Sequence, residues 1–186
     1  MAKRPSILKH LAALAAAALL AAPSWAADPK PAAGAAQAPG GMEVKVKIMK
    51  VPVKDGVSFD DAVESLKLRA NSRNFKFVGH SPLSKEVEAV TGKPSPRTEI
   101  FSFCDAVTAR DFIEVSLDFA AFLPCRVAIV EDAPSKKIWV VSMMMDMSWL
   151  DAGKTGKPVP EKLKARAKEI IDIMNDMIKA ASTGDI

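Results

Sequence analysis

Two short runs, "CRVAIVED" (125–132) and "IWVVSMMMDM" (138–147), joined by "APSKK", constrain this chain most. Both are rich in Val, Ile and other β-formers, and a Pro-containing link between such runs is the signal of a hairpin. A hairpin commits its strands to antiparallel pairing, which no βαβ crossover can supply. Period-2 parity puts Cys125 with Val127 and Ile129 toward a core, and groups Trp139, Val141, Met143, Met145 and Met147 on one face of the next strand.

The other segments fit around that hairpin. From Met42 to Val53 the chain alternates, with Val44, Val46 and Ile48 on one face and Glu43, Lys45 and Lys47 on the other, so a half-buried strand is expected. Ser58 is placed to cap a helix whose first turn holds Asp60 and Asp61. Phe59, Val63, Leu66 and Ala70 form its apolar stripe. "FKFVGHS" reads as a second strand, "SKEVEAVTG" as a weak helix or turn, and "RTEIFSFC" as a third strand. A helix is expected from Asp105 to about Phe122, stopped by Pro124. A long amphipathic helix follows over Glu161–Ala181, with Leu163, Ala167, Ile170, Met174, Met177 or Ile178, and Ala181 along one side. Helices and strands mix without a strict repeat. The class is α+β: a mostly antiparallel sheet of about five strands with helices packed against it.

The N-terminus speaks to compartment. Lys3, Arg4 and Lys9 precede the apolar run LAALAAAALLAA, and Ser24 and Ala26 take the −3 and −1 positions of a signal-peptidase site. Residues 1–26 therefore read as a signal peptide cleaved before Ala27, and the destination as the periplasm, with no stable membrane anchor left. Residues 27–41 are an Ala/Pro/Gly tether, and 42–186 form a single domain. Removing three basic residues from 26 leaves 23 against 22 acidic ones, so the mature chain is nearly neutral. That balance argues against nucleic-acid binding.

"VSFDDAVESLKLRANSRNFKFVG", a cysteine opening a helix, "FLPCRVAIVED" and "IWVVSMM" together resemble the domain-of-unknown-function 302 family over about residues 42–147. The resemblance implies a small α+β domain that forms homodimers and has no established reaction. The family's usual Cys-Asn-Pro is Cys104-Asp105-Ala106 here, which loses a proline suited to the first helical turn but keeps a capping side chain.

Candidate chemistry is sparse. CxxC, CxxCH, GxSxG, HExxH and Gly-rich phosphate loops are all missing, and capping already explains Asp60 and Asp61, so the sequence gives no support to an enzyme and names no cofactor. The candidate thiols are Cys104 and Cys125, with Asp105 and Arg110 as supporting charges. An oxidising compartment and an even cysteine count favour a disulfide. Against it, a helix reaching Phe122 would run about 22 Å and carry Cys125 to the far end of the sheet, beyond the roughly 7 Å Cα separation a bridge tolerates. Two buried inert thiols, or a Cys104 activated at a helix N-terminus, are the other states open to the pair. Met143, Met145 and Met147, with His80, are candidate soft-metal donors, although core filling is the ordinary role of such methionines. Two functions remain. One is an exported, non-catalytic binding or accessory module holding a small ligand or a soft metal. The other is a thiol-active protein using Cys104 as a sulfur carrier or redox thiol.

Overall fold

A computed structural model of the chain describes residues 46–144, 146–150, 155 and 157–185. The expected signal peptide and tether (residues 1–41), Val44 and Met145 lie outside the described residues. In chain order the elements are β1 (Lys47–Pro52), α1 (Phe59–Ser72), β2 (Lys76–Ser81), α2 (Leu83–Thr91), β3 (Thr98–Cys104) and α3 (Ala106–Val115). A 3-10 turn (Leu117–Phe122), β4 (Cys125–Glu131), β5 (Ile138–Met144), a second 3-10 turn (Met147–Leu150) and α4 (Glu161–Thr183) complete the domain. The strands form one sheet in the order β1-β5-β4-β3-β2, every pair antiparallel. The α+β class and the β4–β5 hairpin are as the sequence implies.

α1 begins where local chemistry says it must. The Ser58 hydroxyl accepts the Asp61 backbone N–H at 3.1 Å, and the Asp61 carboxylate accepts the Ser58 N–H at 3.1 Å, a reciprocal capping box. The helix then buries Phe59, Ala62, Leu66 and Ala70 against Met174, Met177, Ile178 and Ala181 of α4 and Phe101, Phe103, Val127, Ile129 and Val140 of the sheet. An Arg69–Asp176 ion pair at 2.8 Å ties α1 to α4 across their solvent side. A smaller cluster, built on Phe112, Phe119, Leu150 and Leu163, joins α3 to the start of α4. Among the described residues no helix is long and apolar enough to cross a membrane.

Three expectations are corrected. β1 turns its other face inward: Val46 and Ile48 are 49% and 62% exposed, while Met49 and Val51 pack on the core. The register decides this, since Met49 faces Ser142 and Val51 faces Val140. The same parity reverses β5, where Val140, Ser142 and Met144 point to the helices and Trp139, Val141 and Met143 to the opposite face. Finally, the helix after Cys104 stops at Val115. Ser116 adopts an extended conformation (φ −151°, ψ 137°), and its hydroxyl accepts the Asp118 N–H, restarting the chain as a 3-10 turn. A Ser-x-Asp sequence offers the backbone this local alternative to continued helix.

Candidate functional site: a sulfur-lined cleft at the end of the sheet

The broken helix changes where the cysteines lie. β3 and β4 are antiparallel neighbours, so the end of one and the start of the next share one end of the sheet, and Phe103 pairs directly with Cys125. Cys104 is one residue farther along, paired with Lys76 of β2. Strand spacing alone then puts the two Cα atoms about 6 Å apart, inside the range a disulfide spans. The expected wide separation is overturned, because α3 and its 3-10 turn lead the chain out from the sheet and back to the same edge. Both thiols are free in this structure.

The two cysteines line one cleft of about 90 Å³, several times the roughly 15 Å³ that one water requires. Thr108, Ala109 and Phe112 of α3 form one wall, and Ala167, Ile170, Ile171 and Met174 of α4 another. Phe122, Leu123 and Pro124 bring the chain into β4 beside Cys125. Met143 and Met144 enter from β5 and Val46 from the residue before β1. The walls are overwhelmingly apolar, with Asp105 and Arg126 as the charged residues among them.

Asp105 is fully engaged. Its carboxylate caps α3 by accepting the Thr108 N–H at 3.2 Å, accepts the Thr108 hydroxyl at 3.0 Å, and receives Arg166 of α4 through Nη2 at 2.6 Å and Nε at 3.1 Å. Burial opposes its charge, but Arg166 and the Thr108 donors outweigh burial and hold its pKa below the ordinary carboxylate value. The cation that Asp105 holds is thus Arg166, drawn in from 61 positions away, which no local pattern in the sequence announces. Arg110 does not line the cleft; it pairs with Glu114 at 2.8 Å on the exposed side of α3. It is not the supporting charge expected of it.

The thiols are held neutral. Burial, and next the negative charge of Asp105, raise the Cys104 pKa; burial, and next Cys104 itself, push Cys125 up to about 11. The helix N-terminus beside Cys104 does not prevail over desolvation and an adjacent carboxylate.

The remaining candidate donors are dispersed. β5 ends at Met144, so Met147 falls in the second 3-10 turn and packs on the smaller cluster, while Met143 stays with the cleft. Met145 lies outside the described residues. His80 is a strand residue on β2, stacked on Phe101 at 4.8 Å and hydrogen-bonded to Glu99 at 2.7 Å, and it does not line the cleft. Among the described residues no three His, Cys, Asp or Glu side chains gather as a metal set. The two sulfurs the sequence reading missed, Met144 and Met174, are the ones the fold brings to Cys125.

A family model described as "Domain of unknown function DUF302" matches residues 49–181, running through α4. No curated protein matches the chain. Among solved structures, the crystal structure of an uncharacterized conserved protein DUF302 from Bacillus stearothermophilus aligns with a TM-score of 0.54. It is 16% identical, and the alignment covers 72% of this chain and 97% of that one, a likeness of fold.

Proposed function

The chain belongs to the DUF302 family, and from that premise we propose that it is an exported, non-catalytic binding module that holds a small, mostly apolar ligand at the end of its sheet. The observation that carries this reading is the cleft itself: apolar walls from α3, α4 and the strand ends, with two protonated thiols inside and a single, already satisfied carboxylate. Concave apolar sites with few polar groups are the usual form of small-ligand sites. Thiols kept neutral by desolvation are poor nucleophiles, which weighs against a sulfur-transfer role for Cys104. Export rests on the basic start, the apolar run and the Ser24-Trp25-Ala26 end of the first 26 residues. A homodimer follows from the family resemblance and from the apolar character of the sheet face that α1 and α4 leave uncovered.

Toluene is a suitable probe, being apolar and of the cavity's scale. Its titration should shift amide resonances of Cys104–Ala109 and Ala167–Met174 selectively. Ala109→Trp, on the half-buried wall of α3, should abolish those shifts while leaving the remaining spectrum folded. Shifts scattered over the domain, or unchanged binding in Ala109→Trp, would defeat the reading.

A further inference from the structure

Five sulfur-bearing residues border this one cleft: Cys104, Cys125, Met143, Met144 and Met174. They come from β3, β4, β5 and α4, so no sequence motif gathers them; the fold does. Continuing the β4–β5 register from Val127↔Ser142 puts Met144 directly across from Cys125 on the helix-facing side, where paired side chains stand about 5 Å apart. Met174 reaches the same space from α4, and both methionines are buried. Cys104, the last residue of β3 and of opposite parity to Cys125, borders the same cleft.

We propose that the cleft binds one soft monovalent metal ion, Cu(I), through the thiols of Cys104 and Cys125, with Met144 and Met174 supplying thioether donors. This rests on the binding-module reading and adds a metal site to the same cleft. Thiolate and thioether donors suit soft and borderline metals, Cu(I) and Zn(II) among single ions. A tetrahedral Zn(II) site would need more Cys, His or carboxylate ligands than the cleft contains, since Asp105 is held by Arg166 and Thr108. One Cu(I) with one thiolate is neutral, and with two it leaves a single negative charge in a cleft that Arg126 also lines. On binding, each participating S–H bond breaks, its proton leaves to solvent and an S–Cu bond forms; no electron is transferred. Met143 also borders the cleft but is 36% exposed and turned to the opposite face of the sheet, so it is left out of the donor set.

The test is anaerobic Cu(I) titration of the full chain against a chromophoric Cu(I) chelator, with X-ray absorption of the loaded protein. One ion with only sulfur neighbours is expected. Cys104→Ser and Cys125→Ser should each weaken it by about 100-fold, and Met144→Leu or Met174→Leu by about tenfold. The Met→Leu changes conserve volume and keep the test independent of folding defects. Oxygen or nitrogen neighbours, affinity unchanged in the cysteine variants, or a Cys104–Cys125 disulfide in protein isolated without reductant would each overturn the proposal. If copper fails to bind while toluene still shifts the cleft resonances, the metal assignment falls and the binding module stands. If neither binds, both fall.

Discussion

Glu99 shows at residue scale how much a single carboxylate can tie together. It accepts Arg97 Nε at 2.7 Å and bonds His80 Nε2 at 2.7 Å, while Arg97 also reaches Asp60 of α1 at 2.7 Å. Burial opposes its charge, but Arg97 and His80 outweigh burial and keep its pKa below the ordinary 4.5. A carboxylate with a depressed folded pKa contributes stability that is complete above its unfolded value and is lost as pH falls through the folded one. Glu99→Gln should therefore cost about 1–2 kcal/mol at pH 7, and the difference from wild type should shrink below about pH 4. Urea unfolding at the two pH values checks this; a constant difference would show that the ionised form contributes nothing. Little of this was legible beforehand. The Ser58–Asp61 capping box could be read because its partners are three positions apart, whereas Glu99 is 19 positions from His80, and Arg166 is 61 from Asp105. His80 looked alone only because sequence distance hides a cross-strand neighbour.

Among the elements, α4 was the most legible, because a 3.6-residue stripe sustained over more than twenty positions leaves one solution. It buries Leu163, Ala167, Met174, Met177, Ile178 and Ala181, and Gly184 closes it in the left-handed conformation (φ 73°), which its missing Cβ permits. Met177, fully buried between α1 and the sheet, is the severe single site: Met177→Ala should cost about 2–5 kcal/mol. A chain ending at Pro160 should lose cooperative thermal unfolding, and an unchanged melting transition would show α4 to be an accessory. The strands were less legible in facing than in existence. β1 and β5 carry apolar residues at both parities, so alternation could not tell inside from outside, and pairing register chose. Reading Asp105–Phe122 as one helix failed for a local reason, the extended Ser116, and that error alone separated the cysteines.

For the whole molecule, the consequence of that register is a sheet with two apolar faces. α1 and α4 cover the one bearing Phe101, Val127 and Val140. The other carries Ile48 exposed, with Trp139, Val141, Val130 and Ile100 only half-buried, and Lys50 lies over the Trp139 ring at 4.1 Å. Antiparallel sheets commonly present one face to water, but that face is then polar. Contiguous apolar surface on a small domain marks an interface. A second copy of the chain is the occupant consistent with the homodimers that the family resemblance implies, and two such faces related by a two-fold axis would meet like against like. Light scattering coupled to size exclusion should thus report a dimer. Val141→Lys, at the centre of β5, should give a folded monomer with an unchanged far-ultraviolet spectrum, since a second ammonium opposite Lys50, its cross-strand neighbour, would be desolvated between two sheets without an acceptor. The cleft walls come mainly from α3, α4 and the strand ends, so the monomer should keep its toluene shifts. A wild-type monomer, or a Val141→Lys protein that stays dimeric, would place the interface elsewhere.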